Sequence, residues 1–277
     1  MSMRKFLPLA VFSIFLANIV DAQHKLVKKW ETEATLKVPE SVFFDKANQV
    51  LYVSNIDGTP GGKDGKGSIG KVGLDGKIIE VDWVSGLNAP KGMALVKNTL
   101  WVADVDEVVA IDIRSGKIIK KVKVEGAKFL NDATADNKGD IYVSDSQTKK
   151  VHKIENDKSS VFLENLQGPN GLLAHKKDLY VLDNGGLYKK EKGKELVKLA
   201  DGMEGNTDGL EHVQGGDFIV SCWAGSIFYV NADGTTEKLL DTREQKINSA
   251  DIGYDAKNKI VYVPTFFGNS IVAYELQ

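Results

Sequence analysis

The chain has 277 residues, 42% of them hydrophobic, which is enough for one large domain or two small ones with ample apolar material for a core. Its 36 basic and 38 acidic residues leave a net charge of −2, so nothing in the electrostatics favours nucleic acid or an anionic membrane as a partner. A single cysteine, Cys222, excludes an internal disulfide framework.

Residues 1–22 differ in character from the rest. Arg4 and Lys5 precede an apolar run from Phe6 to Val20, and "VDA" before Gln23 fits a small-residue cleavage site. The run is short for a membrane span. A cleavable signal peptide over 1–22 is therefore expected, with a mature chain of 23–277 that is periplasmic or secreted and not held in a membrane.

From residue 39 onward the chain repeats itself. "PESVFFDKANQVLYVSN", "PKGMALVKNTLWVAD", "NDATADNKGDIYVSD", "PNGLLAHKKDLYVLD", "TDGLEHVQGGDFIVSC" and "SADIGYDAKNKIVYVPT" share a polar lead residue, a short apolar strand, a turn and a second strand with a central aromatic. Lys91 to Trp101, Asp132 to Tyr142, Asn170 to Tyr180 and Asp208 to Phe218 are ten apart; Glu40 to Tyr52 and Ala250 to Tyr262 are twelve. Two more strand-like runs follow each pair, as in "EVVAIDIRSG" and "KIIKKVKVEG", with Gly, Asp and Asn at the turns. Lysines in such runs read as the wet faces of strands.

Six units of four antiparallel strands predict an all-β, six-bladed β-propeller forming a single domain over 23–277. The last unit lacks a fourth strand, which 24–35, "HKLVKKWETEAT", should supply. A ring closed in this way leaves only short protected edges, so a monomer is expected.

Propeller geometry brings the lead residues to one rim of the central channel: Glu40, Lys91, Asp132 with Asn131 beside it, Asn170, Asp208, and Ala250 with Asp251 beside it. The second strands return Asn55, Asp104, Asp145 and Asp183 to the same rim. Two carboxylates, Glu40 and Asp208, with two amides, Asn131 and Asn170, form an oxygen-only set suited to a hard divalent cation, calcium above all, with magnesium, manganese or zinc as alternatives. None of the four histidines falls at a rim position, which argues against a Ser/His/Asp triad. Cys222, inside "DFIVSCW", reads as a buried structural thiol.

The segment "NIDGTPGGKDGKGSIG", 55–70, fails the phosphate-loop pattern, because Pro60 stands where the first glycine belongs and "GKGS" is not Gly-Lys-Ser/Thr. It reads instead as a long loop of blade one on the rim face, placed to cover the site.

"PESVFFD", "FLND", "GPNGL" and "NTDGLE" resemble the four metal-ligand segments of the senescence marker protein/regucalcin/gluconolactonase family, six-bladed propellers with a divalent cation in the channel. The resemblance spans essentially the whole mature chain. It implies that Glu40, Asn170 and Asp208 bind the cation, that Asn131 contacts cation or substrate, and that Asp208 is also the catalytic base. In register alone Asp132 leads blade three; the family places Asn131 there. Members acting on sugar lactones carry an arginine two residues before that asparagine, and here the position is Phe129, which argues against a sugar acid as substrate. Lys91 is a substitute anion anchor or the partner of Glu40 or Asp104. The substrate-contacting set is then Asn131, Lys91, Asn55 and Phe129, and the activity implied is metal-assisted hydrolysis of a small-molecule lactone. A propeller that binds a ligand or protein without turnover, around a structural calcium, is the alternative.

Overall fold

Each strand pairs only with its chain neighbours until the ring closes, because Gly and Asx turns are too short for any other connection. A computed structural model describes residues 24–277; the expected signal peptide lies outside the described residues. Six four-stranded antiparallel sheets result. Their innermost strands are Pro39–Asp45, Pro90–Val96, Leu130–Ala135, Pro169–His175, Thr207–His212 and Gly253–Asp255. The molecule is a six-bladed β-propeller. Among the described residues the one helical element is a single 3-10 turn, Phe266–Gly268, and no helix is long and apolar enough to cross a membrane.

Closure comes from the N-terminal side. Leu26–Glu31 is the outer strand of blade six and pairs antiparallel with Ile271–Leu276. The strand is shorter than the 24–35 stretch expected, since Thr32 already leaves the ladder, though its N–H still reaches the Ile271 carbonyl at 3.0 Å.

Apolar faces of adjacent blades interdigitate. Tyr52, Ile69 and Leu87 of blade one pack with Met93, Leu100 and Val102 of blade two in one continuous cluster, and the other interfaces repeat the pattern. Burial of such side chains, at roughly 25 cal/mol per Å², is the main force holding neighbouring blades.

The feature that makes a site possible is a register shift near the start of each of the first five inner strands: between Pro39 and Ser41, Pro90 and Met93, Leu130 and Ala133, Pro169 and Leu172, Thr207 and Leu210. A bulge re-aims one side chain out of the sheet alternation. Here it frees the lead residue to face the channel. The residue after it lies against the next blade, and in three blades only glycine fits: a Cβ on Gly92 would sit 2.5 Å from the Asp132 Cα, one on Gly171 2.2 Å from the Asp208 carbonyl oxygen, and one on Gly209 2.3 Å from the Ile252 nitrogen. The N–H released at that second position is met by a serine of the neighbouring strand. Ser41 N donates to Ser54 Oγ at 2.9 Å, Asp132 N to Ser144 Oγ at 2.9 Å and Gly209 N to Ser221 Oγ at 2.8 Å.

Candidate functional site

The bulges settle the register of the lead residues. Leu130 pairs with Asp145 as Pro169 pairs with Asp183 and Pro90 with Asp104, so Asn131 occupies the place of Asn170 and Lys91. Asp132 occupies the place of Gly171. The uniform spacing of ten does not hold, because the hairpins of blades three and five are one residue longer than those of blades two and four. In blade five the second-strand residue facing Glu211 is Ile219, while Phe218 faces His212.

Asp132 is spent on the fold. Its carboxylate accepts from Leu172 N in the next blade at 2.6 Å and from Ala133 N at 2.6 Å. Asp251, at the same level in blade six, accepts from Ser41 Oγ at 2.5 Å. Burial pushes the Asp251 carboxyl up to about 7.

Glu40, Lys91, Asn131, Asn170 and Asp208 converge on one cavity of about 470 Å³. Asn170 Nδ2 donates to Asp208 Oδ1 at 2.8 Å, and Asn131 Nδ2 donates to Ser146 Oγ at 3.1 Å. Glu40 is 5% exposed and Asp208 3%. Burial, then the neighbouring Asp208 charge, drives the Glu40 carboxyl well above the carboxylate range; burial, then Asp251, does the same to Asp208. Three oxygens here are buried without a hydrogen-bond partner: Glu40 Oε2, Asn170 Oδ1 and Thr207 Oγ1. Each such acceptor costs on the order of 1–3 kcal/mol. Glu40, Asn170 and Asp208 are the residues that could hold a cation, and all contribute oxygen. Among the described residues no group of three or more His, Cys, Asp or Glu is arranged to do so, so any such site depends on amide oxygen.

Lys91 is 1% exposed and forms an ion pair with neither Glu40 nor Asp104. Its Nζ donates to the Pro60 carbonyl at 2.7 Å and the Ala89 carbonyl at 3.1 Å, and lies 4.4 Å from the Phe129 ring centre. Burial lowers its pKa, opposed by the charges of Glu40, Asp104 and Asp208. The Pro60 contact fastens the blade-one loop, which runs over 56–66 between strands Val50–Asn55 and Gly67–Gly73. Lys63 pairs with Asp106 of blade two at 2.5 Å and secures it again. Ile56 and Pro60 of this loop line the cavity.

Asn55 does not reach the cavity. Its side chain donates to the Val81 carbonyl at 3.0 Å and accepts from Lys37 N at 3.3 Å. The second-strand acids at the same level are likewise turned to the connectors: Asp104 accepts from Asn88 N and Ala89 N, Asp145 from Lys128 N and Phe129 N, and Asp183 from Gln167 N and Gly168 N. Cys222 takes this place in blade five. It is fully buried, and burial pushes its thiol pKa up, away from nucleophilic reactivity. His175 and His212 stack on each other, with ring centres 4.0 Å apart, at the ends of their inner strands away from the bulges.

Sequence reasoning missed most of the wall. Trp223, Phe266 and Phe267 line the cavity opposite Phe129, and the first two are in edge-to-face contact with ring centres 5.5 Å apart. All three follow a second strand, as the 56–66 loop does, and that shared topological place was the available signal.

No family model and no curated protein sequence matches the chain. Solved structures do. A Xanthomonas campestris gluconolactonase shares 15% identity over 88% of each chain, with a TM-score of 0.67. The fold is the six-bladed propeller that this gluconolactonase also has. A catalytically inactive virginiamycin B lyase from Staphylococcus aureus, with quinupristin, shares 15% over 92% of this chain and 100% of its own, at a TM-score of 0.66. A chain of a nidogen/laminin complex shares 18% over 78% of this chain and 84% of its own, at 0.64. The same ring therefore occurs in a gluconolactonase, a lyase and a chain of a nidogen/laminin complex, so the fold does not fix the activity.

Proposed function

We propose that the protein is an exported, divalent-cation-dependent lactonase that opens a cyclic ester at the floor of the cavity, with calcium the best-suited cation and magnesium, manganese and zinc the alternatives. The observation that carries this reading is the trio of partnerless buried oxygens on Glu40, Asn170 and Thr207, beside the buried acid Asp208. Two acids and the free amide oxygen of Asn170 suit a hard cation and little else. Export rests on Arg4, Lys5 and the apolar run that follows.

When bound, the cation supplies Lewis acidity to the ester carbonyl and charge opposite the developing oxyanion. Asp208 is the residue placed to move the proton. It takes one proton from the attacking water as the water oxygen bonds to the acyl carbon, and returns it to the ring oxygen as the acyl–oxygen bond breaks, leaving a hydroxy acid. Asn170 fixes the Asp208 carboxylate through its 2.8 Å hydrogen bond. Asn131, in the blade next to that of Asn170 and steadied by Ser146, is placed to orient the ester. Lys91 sets positive charge beneath Phe129 and holds the covering loop through Pro60.

The test is hydrolysis of simple δ-lactones followed by acid release. Activity is expected in calcium buffer, abolished by chelator and restored by calcium or one of the three alternative ions. Tight ligand binding with no turnover under any ion would instead favour a binding propeller around a structural calcium.

A further inference from the structure

We infer that the cavity selects a lactone bearing an apolar alkyl or aryl substituent rather than a polyhydroxylated sugar lactone. This rests on the lactonase reading and adds the substrate class to it. The cavity has a buried polar floor, with Ser146 and Asn206 as further polar residues in its lining. Glu40, Lys91 and Asp208 are almost wholly buried there, whereas the upper wall is aromatic and aliphatic: Phe129 and Pro60 on one side, Trp223, Phe266 and Phe267 on the other. A sugar lactone presents hydroxyls all round its ring, and each hydroxyl facing this wall would lose water without gaining a partner. An alkyl or aryl group gains contact on both sides while its ester sits on the floor.

The wall is built in, at a conformational cost to the chain. Phe266 adopts φ of 51°, a left-handed conformation unfavourable for a bulky residue, and Asn269 follows at 57°. The turn is pinned in that shape. Thr265 Oγ1 accepts from Ser270 N at 3.1 Å and donates to the Ser270 carbonyl at 3.0 Å, and Asn269 Oδ1 accepts from Val38 N at 3.0 Å. Phe266 is thereby buried against Trp223, while Phe267 remains 65% exposed at the mouth, packed edge-to-face on Phe266 at 4.7 Å. A large ring left in water at a cavity mouth has no role in the fold's own core, and an apolar ligand group gives it one. On the opposite side Phe129 is held by the Lys91 ammonium and by Gly61 of the covering loop, whose Cβ, if present, would lie 3.5 Å from the ring.

Three lactones with the same six-membered ring separate the outcomes: D-glucono-δ-lactone, δ-valerolactone and δ-octalactone, which are polyhydroxylated, bare and propyl-substituted. Wild-type kcat/KM is expected to be at least about tenfold higher for δ-octalactone than for either of the others. Phe267→Ser, at an exposed position, is expected to lower the δ-octalactone to δ-valerolactone ratio of kcat/KM about tenfold through KM. Preference for the glucono compound, or a ratio unmoved in the variant, overturns this inference and leaves the lactonase reading standing. Hydrolysis of none of the three overturns both.

Discussion

Asp208→Asn is expected to reduce lactone hydrolysis by ~100- to 10,000-fold, the usual contribution of a general base, while the chain stays folded. The amide is isosteric and still offers Asn170 an oxygen to hydrogen-bond. It cannot accept a proton, and it removes one of the two negative charges on the cavity floor. Cation affinity should fall as well, so the assay is run across a range of calcium up to saturation, and the loss should persist at the top of that range. Stability should move the other way. Asp208 is buried among other acids, with burial and Asp251 both opposing its charge, so in chelator the variant is expected to melt above wild type. Gain in stability with loss of activity is the signature of a residue retained for function. Asn170→Asp gives the contrast: added negative charge tightens the cation and weakens the polarisation felt by the ester. Full activity in Asp208→Asn with its cation bound would move the base to Glu40, because the Asp132 carboxylate is committed to Leu172 N and Ala133 N.

The second large effect falls on the scaffold. Asp183→Ala is expected to cost about 2–4 kcal/mol, since the buried carboxylate accepts from Gln167 N at 2.9 Å and Gly168 N at 2.6 Å and its loss orphans both. For a chain of this size that corresponds to a melting temperature lower by roughly 4–8 °C. Asp183→Asn, which keeps an acceptor oxygen, should lie between the two. The connector it clamps leads directly into Pro169 and Asn170, so cation affinity should drop in step with stability. A shift below 1 °C in Asp183→Ala would mean that the connector holds its shape without the carboxylate.

The ring and the position of its rim were legible in the sequence because the repeat writes them six times. Lead residue, hairpin and aromatic strand recur at a spacing that only a radial array accommodates, and the missing fourth strand of the last unit pointed to the N-terminal segment now paired with Ile271–Leu276. Legibility ended where the repeat varies by one residue. Counting back from Tyr142 gives Asp132 as the lead of blade three, but the hairpin there is one residue longer and the bulge turns Asn131 to the cavity. A bulge leaves little trace in a single segment. Its mark here is the serine in "YVSN", "YVSD" and "IVSC", which meets the freed N–H across the hairpin.

The polar residues at the ends of the second strands, Asn55 above all, were misleading for a different reason. Asn55, Asp104, Asp145 and Asp183 do lie at rim level, yet the connectors passing above them bring unpaired backbone N–H groups that claim their oxygens. Proximity to a site is readable from strand position, whereas availability depends on what else needs an acceptor. The aromatic wall was readable in principle. Loops after second strands line the cavity in blades one, three, five and six, and the reasoning that placed 56–66 over the cavity applies equally to Ser146, Trp223 and the Phe266–Phe267 pair.

Calcium titration of chelator-stripped protein by calorimetry, on wild type and on the Glu40→Gln/Asp208→Asn double variant, tests the central claim most directly. One cation should bind per wild-type chain, and the double variant should lose at least about 100-fold in affinity, because the two substitutions remove both carboxylate ligands from an oxygen-only site. Absence of binding by wild type to calcium, magnesium, manganese and zinc alike, or equal binding by the double variant, would contradict the cation site and the reaction built on it.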